Sequence, residues 1–118
     1  MSAMTNVTIL DGGLSRELTR FGAVLKQPEW SAGALMHHPD AVKRAHQAFF
    51  EAGSMIATTA SYAVVPFHIG QDVFEAEGVA LAALSGKLAQ EAAETARANG
   101  RDVQVAGSLP PACGSYVP

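Results

Sequence analysis

Three short apolar runs, residues 7–10, 55–59 and 103–106, each end in a cluster of small and polar residues with the chemical groups to build a site. Buried parallel strands read as continuous apolar runs, and α/β proteins place their chemistry just past the carboxyl ends of such strands. The spacing therefore predicts three loops at one end of a parallel sheet. The three clusters are Asp11-Gly12-Gly13, Ala60-Ser61-Tyr62 and residues 107–111.

Asp11 is the first candidate for ligand binding. A carboxylate at the end of a buried strand can hold the α-ammonium group of an amino-acid substrate. The backbone amides of Gly12 and Gly13 can approach that substrate closely because no Cβ intervenes. Asp11 is equally well placed to cap a short helix that starts near Leu14, and the two uses are compatible.

Trp30 and Tyr62 are candidates for holding a cation. Aromatic faces attract a cationic group, and each such contact contributes about 0.5 to 2 kcal/mol depending on desolvation. The alternative is structural, with Trp30 closing the mouth of the fold and Tyr62 packing a loop.

Hydroxyl groups surround the predicted ends of the second and third strands. Thr58, Thr59 and Ser61 could bond a substrate carboxylate, but such hydroxyls more often satisfy nearby backbone groups, and we expect this of at least two of the three. The same holds for Ser108. None of these residues is predicted to be catalytic.

The histidines and the single cysteine do not predict a metal site. His37 and His38 are adjacent and would diverge by about 100° on a helix, while His46 and His68 have no partner at helix-face spacing. We expect His46 to be a partly buried helix residue. Cys113 cannot form an internal disulfide or a cysteine-rich metal site alone, and is predicted to be a loop thiol.

Composition limits the class of protein. Apolar residues make up 48% and charged residues 16%, as in ordinary globular domains, and the net charge of −3 gives no reason to expect nucleic acid. No apolar stretch approaches the roughly 18 residues that span a bilayer, and the amino terminus lacks a secretion signal. These features predict a cytoplasmic protein without a membrane partner.

The elements between the clusters alternate in type. A short helix is predicted over residues 14–21, an irregular stretch over 26–31, an amphipathic helix over 39–52, and a long alanine-rich helix between Asp72 and Asn99. Strand, helix, strand, helix, strand is the order of a parallel α/β sheet. The apolar stripe of the second helix is predicted to consist of Val42, Ala45, Phe49 and Ala52.

Several segments together resemble the homocysteine S-methyltransferase family. Any one of them would be weak evidence, but they occur in the family's order and at plausible spacing across residues 8–62, and residues 105–108 resemble its third strand. The matching segments are residues 9–14, 28–32, 46–53 and 58–62.

The resemblance implies a (β/α)8 barrel that transfers a methyl group from a sulfonium or similar donor to the zinc-activated thiol of homocysteine, giving methionine. It implies homocysteine contacts at Asp11, Gly12 and Gly13, and a methyl-donor pocket at Trp30 and Tyr62. The family's zinc-binding cysteines belong to later strands, so no residue of this chain is expected to bind the metal, and Cys113 does not inherit that role. No residue is assigned as catalytic.

Length bears on the activity expected of this chain. A barrel of this type takes roughly 250 residues, so residues 1–118 are predicted to be an incomplete domain, the amino-terminal part with about three strand and helix units. We expect this chain alone to be inactive.

Two other classes of function stay open. A small non-enzymatic α/β module could bind an amino acid or a partner chain and cover its exposed sheet edges by self-association. A phosphate-binding domain that uses Asp11-Gly12-Gly13 is disfavoured because no GxGxxG or GxxxxGK[ST] pattern is present there.

Overall fold

A computed structural model describes residues 6–113 of the chain. These residues form an α/β structure in which five helices surround two short parallel strands. In chain order the elements are α1 (Leu14–Arg20), α2 (Ser31–His37), α3 (Pro39–Glu51), β1 (Ile56–Thr58), α4 (Pro66–Ile69), α5 (Gln71–Ala98) and β2 (Gln104–Ala106).

The two strands confirm the second and third apolar runs as parallel neighbours. Ile56 pairs with Gln104 and Thr58 with Ala106, so both strands end at the same level. The long helix α5 connects them and packs on the sheet. The loops that follow β1 and β2 are therefore side by side.

The prediction that residues 7–10 form a regular strand is wrong. The run is reduced to a single parallel bridge between Leu10 and Ile56, supported by a bond from the Met55 N–H to the Ile9 carbonyl at 2.7 Å. Among residues 6–113 this run has a strand neighbour on one side only, and Ile9 and Leu10 stay 54% and 62% exposed. Without a second neighbour the run is extended backbone that aligns the Asp11 loop with β1.

Helices α3 and α5 confirm the two main helical predictions within one or two residues at each end. Pro39 occupies the first turn of α3, and Gly53, with φ of +113°, ends it because that conformation is strained for any residue with a Cβ. Their contact forms the main core, in which Val42 and Ala45 of α3 lie in one cluster with Leu81 and Leu88 of α5.

The predicted stripe of α3 is partly wrong. Ala52 is exposed and Phe49 is only partly buried, whereas Phe50 is fully buried with Ala92 and Ala93 of α5. The helix has neighbours on two sides, because α5 covers one face while the Asp11 loop lies against another. Phe49 therefore contacts the loop, and Phe50 fills the core.

Two short helices, α2 and α4, were not predicted. Helix α2 begins immediately after Trp30 and stops at His38, whose backbone (φ −138°, ψ 55°) is non-helical because a following proline disfavours the helical conformation. Helix α4 starts with Pro66 and ends at Gly70. Each is too short to show a clear helical period in sequence.

Two arginines bond backbone carbonyls near the sheet. Arg97 donates to the Val103 carbonyl from Nε at 3.2 Å and from Nη2 at 2.9 Å, just before β2. Arg101 donates from Nη2 to the Glu51 carbonyl at 3.1 Å, at the end of α3. This arginine pair fastens α5, α3 and β2 together at the end of the sheet opposite the three loops.

Within residues 6–113, none of the helices combines the length and the apolar content needed to cross a membrane.

Candidate functional site

A cavity of about 790 Å³ lies at the carboxyl ends of the strands. We call it the strand-end cavity. All five residues predicted to bind ligand, Asp11, Gly12, Gly13, Trp30 and Tyr62, line this one space. Its other lining residues are Leu14, Ser15, Arg16, Ser31, Thr58, Thr59, Ala60, Ala63, His68 and Ser108.

The Asp11 carboxylate is held by Thr58 at the end of β1. The Thr58 backbone N–H donates to Oδ2 at 2.7 Å, and the Thr58 hydroxyl lies 3.1 Å from Oδ1. Asp11 does not cap α1, since the N-cap residue is Gly13 and no side chain bonds the helix end. The carboxylate is therefore oriented by the neighbouring strand and lines the cavity, an arrangement suited to binding a cation.

The two glycines after Asp11 have different surroundings. A Cβ at Gly12 would lie 3.4 Å from Cε1 of Phe49, so the loop rests closely on α3 at this point. A Cβ at Gly13 would meet no atom within 4 Å among the described residues. Gly12 therefore fixes the loop on its support, while Gly13 leaves its side of the cavity open.

Trp30 and Tyr62 line the cavity together with a histidine that sequence reasoning missed. Both aromatic side chains are 39% exposed, whereas His68 is buried and its ring centroid lies 6.4 Å from that of Tyr62. The Nδ1 atom of His68 is 2.9 Å from the Pro28 carbonyl oxygen. A proline at the start of α4 was the available signal, since it places His68 on a short helix directly after the Tyr62 loop.

The remaining hydroxyls form a closed set of hydrogen bonds between two loops. The Ser108 N–H donates to the Thr59 hydroxyl at 2.9 Å, and the Ser61 hydroxyl donates to the Ser108 carbonyl at 3.0 Å. The Thr59 and Ser61 hydroxyls are 2.8 Å apart, and because Ser61 has already donated, Thr59 is the donor. The prediction that most of these hydroxyls bond within the protein is confirmed, and the bonds tie the loop after β1 to the loop after β2.

The cavity contains groups of both charges. Arg16, in the first turn of α1, lines it with an exposed side chain and has no ion pair within residues 6–113. Asp11 is the only carboxylate among its lining residues. A carboxylate and a guanidinium in one cavity are complementary to the ammonium and carboxylate of an amino-acid zwitterion.

His46 was predicted to be partly buried, and this was wrong, because it is fully buried in α3. Neither ring nitrogen has a hydrogen-bond partner in the part of the chain that the structure describes. Burial lowers the pKa of His46, and the nearby Asp11 carboxylate opposes that shift. The lowered pKa therefore favours the neutral form of this buried imidazole.

The described residues do not fit a zinc site. No three His, Cys, Asp or Glu side chains from residues 6–113 converge to hold a metal ion. Cys113, the one cysteine in the chain, is exposed and does not line the strand-end cavity. A set of cysteine thiolates cannot be built from this chain, so no zinc ligand is assigned to it.

Proteins with similar sequences include homocysteine S-methyltransferases and a selenocysteine methyltransferase. Homocysteine S-methyltransferase from Escherichia coli (strain K12) is 33% identical over 95% of this chain, which spans 37% of that protein. Homocysteine S-methyltransferase 1 from Brassica oleracea var. italica is 36% identical over 71% of the chain and 26% of its own length. Selenocysteine methyltransferase from Astragalus bisulcatus is 34% identical over 86% of the chain and 33% of its own length.

The fold is similar to that of a solved enzyme. The crystal structure of the homocysteine methyltransferase MmuM from Escherichia coli, in its metallated form, matches 90% of this chain with a TM-score of 0.79 and 34% identity. The chain spans 38% of that structure. The family model for homocysteine S-methyltransferase matches residues 8–117. The chain therefore belongs to the homocysteine S-methyltransferase family.

Proposed function

We propose that this chain forms the amino-acid-binding part of a homocysteine S-methyltransferase, in which it supplies the first units of a (β/α)8 barrel. The whole enzyme would move a methyl group from a sulfonium donor to the homocysteine thiol, giving methionine. The observation that carries the proposal is the Asp11 carboxylate, fixed by Thr58 and lining the strand-end cavity. Family membership supplies the reaction type.

Asp11 and Arg16 would bind the two charged ends of homocysteine. The Asp11 carboxylate has about four lone-pair sites, of which Thr58 uses two, so it can still accept from an ammonium group. Arg16 would bind the α-carboxylate from the first turn of α1. Gly13 leaves room for the substrate backbone between them.

Trp30 and Tyr62 would hold the methyl donor. A sulfonium group is a cation, and aromatic faces attract it without forming a hydrogen bond that must later break. In the transfer, a bond forms between the homocysteine sulfur and the methyl carbon while the bond from that carbon to the donor sulfur breaks. The thiol proton is released, and the donor leaves as a neutral sulfide, so the aromatic contacts weaken as its charge is lost.

The family resemblance implies a zinc ion in the whole enzyme. Zinc deprotonates a thiol that binds it and so supplies a thiolate nucleophile. The described residues of this chain bind and orient the two substrates, and none of them is assigned to that ionisation.

A chimaera tests this function. In it, residues 8–117 of this chain replace the matching segment of the Escherichia coli homocysteine S-methyltransferase, and methionine formation from homocysteine and S-methylmethionine is measured. We expect activity, and we expect Asp11→Asn to lower kcat/KM for homocysteine about 10- to 100-fold because a charge-assisted bond is lost. The matched control is Asp102→Asn, an exposed carboxylate away from the cavity.

A folded chimaera without methyl transfer would contradict the proposal. Titration of homocysteine into the 118-residue chain, followed by amide resonances, gives a second measurement. The expected shifts are confined to residues of the strand-end cavity. Sedimentation of the same sample tests the alternative, since a stable oligomer that does not bind homocysteine would favour a self-associating module.

A further inference from the structure

His46 is a buried polar side chain whose presence in the core is not accounted for by any hydrogen bond within residues 6–113. It is fully buried, and neither ring nitrogen bonds any group within residues 6–113. A buried polar group left without a partner costs about 1 to 3 kcal/mol, so such groups persist mainly where they serve a purpose. An apolar side chain of similar size would pack at this position without that cost.

The position of His46 relates it to the substrate loop. His46 and Phe49 are three residues apart on α3 and therefore lie on the same side of the helix. Phe49 is the residue against which Gly12 rests, with its ring carbon 3.4 Å from the place a Cβ would take. This face of α3 is thus the support of the Asp11 loop, and the Asp11 carboxylate acts electrostatically on the His46 ring.

We propose that His46 is a positioning residue that keeps the Asp11 carboxylate correctly placed for the ammonium group of homocysteine. A neutral imidazole has one N–H, and the tautomer that directs this dipole toward Asp11 stabilises the carboxylate without neutralising it. This inference rests on the proposed function, because it concerns the same ammonium site.

The test compares homocysteine with 4-mercaptobutanoate, which has the same thiol and carboxylate but no amino group. In the chimaera, His46→Leu should lower kcat/KM for homocysteine about 10-fold and leave kcat/KM for 4-mercaptobutanoate unchanged, because only homocysteine uses Asp11. His46→Gln, which retains a side-chain N–H, should restore most of the loss. The control is His37→Leu, an exposed histidine outside the strand-end cavity.

A double-mutant comparison separates positioning from packing. Adding His46→Leu to Asp11→Asn should have no further effect on homocysteine, because the group through which His46 acts is gone. The melting temperature of His46→Leu should equal or exceed that of the parent, since two unpaired nitrogens are removed. Equal losses for both thiols, or no loss for either, would overturn the role of His46.

If His46→Leu does not fold, the role of His46 can still be tested on the parent protein, which retains the histidine ring. The ¹⁵N resonances of the His46 ring should indicate a neutral tautomer and should shift when Asp11 is replaced by Asn. No shift would overturn the coupling of the two residues. If the parent chimaera neither binds nor methylates homocysteine, the proposed function fails instead, so the two failures are distinguishable.

Discussion

Thr58 bonds both oxygens of the Asp11 carboxylate, with its backbone N–H at 2.7 Å from Oδ2 and its hydroxyl at 3.1 Å from Oδ1. The two residues are 47 positions apart in sequence, and the contact crosses from the first apolar run to the end of β1. A carboxylate with both oxygens engaged has lost its freedom to rotate before any ligand arrives. Less ordering is then needed on binding, which favours affinity.

Thr58→Val tests this preorganisation. Valine keeps the branched shape but removes the hydroxyl, while the backbone bond to Asp11 remains. We expect kcat/KM of the chimaera for homocysteine to fall about five- to tenfold and the free energy of unfolding to fall by about 1 kcal/mol or less. Thr95→Val on α5, whose hydroxyl bonds only the Glu91 carbonyl at 3.3 Å, is the matched control. An undiminished kcat/KM for Thr58→Val would show that the hydroxyl does not orient the carboxylate.

Arg16→Gln tests binding of the substrate carboxylate. The side chain is exposed, and exposed ion pairs contribute about 0.2 to 1 kcal/mol, so we expect KM for homocysteine to rise about 1.4- to fivefold. For 3-aminopropane-1-thiol, which lacks the carboxylate, KM should not change. A parallel rise for both thiols would assign the effect of Arg16 to the shape of the cavity and not to its charge.

Substitutions of Trp30 and Tyr62 test the donor pocket. Replacing either residue by leucine removes an aromatic face, and we expect KM for S-methylmethionine to rise about 2- to 30-fold, with KM for homocysteine little changed. Tyr62→Phe should stay close to the parent because the ring is kept. Phe67→Leu, a 49% exposed aromatic outside the cavity, is the control. A rise in KM for homocysteine alone would show that these rings contact homocysteine and not the methyl donor.

The pH dependence of stability tests the buried state of His46. Burial lowers its pKa below 6.5, so on acidification the unfolded chain takes up a proton before the folded chain does. The associated stability is fully present above about pH 6.5 and is lost as the pH falls below it, with a slope of at most about 1.4 kcal/mol per pH unit. Urea unfolding of the 118-residue chain and of His46→Leu between about pH 7.5 and 5 should differ by this slope. Parallel curves would show that the ring is accessible to protons in the fold.

The two long helices, and the meeting of the predicted site residues in one cavity, could be predicted from local sequence. Helices α3 and α5 are long enough to show a helical period, and glycine marks the end of each. Asp11 and Tyr62 were predicted to share a site because each follows an apolar run, and the ends of parallel runs meet. This reasoning needs only residue order and the geometry of a parallel sheet.

Tertiary contacts explain what was not predicted. Residues 7–10 have strand-forming side chains, but regular pairing depends on neighbours that local sequence does not describe. The burial of His46 arises because α3 has neighbours on two sides, so a residue beside the apolar stripe is also covered. His68 lines the cavity, and its Nδ1 atom lies 2.9 Å from the Pro28 carbonyl oxygen, a contact between residues 40 positions apart that local sequence does not describe.

The arginine pair has a consequence for how this protein tolerates change. Arg97 bonds the backbone just before β2 and Arg101 bonds the backbone at the end of α3, whereas Arg16, Trp30 and Tyr62 line the strand-end cavity. The residues that line the cavity and the residues that hold the strands and helices together therefore lie at opposite ends of the sheet. Substitutions among the residues that line the cavity can therefore accumulate without disturbing the hydrogen bonds that hold the strands and helices together.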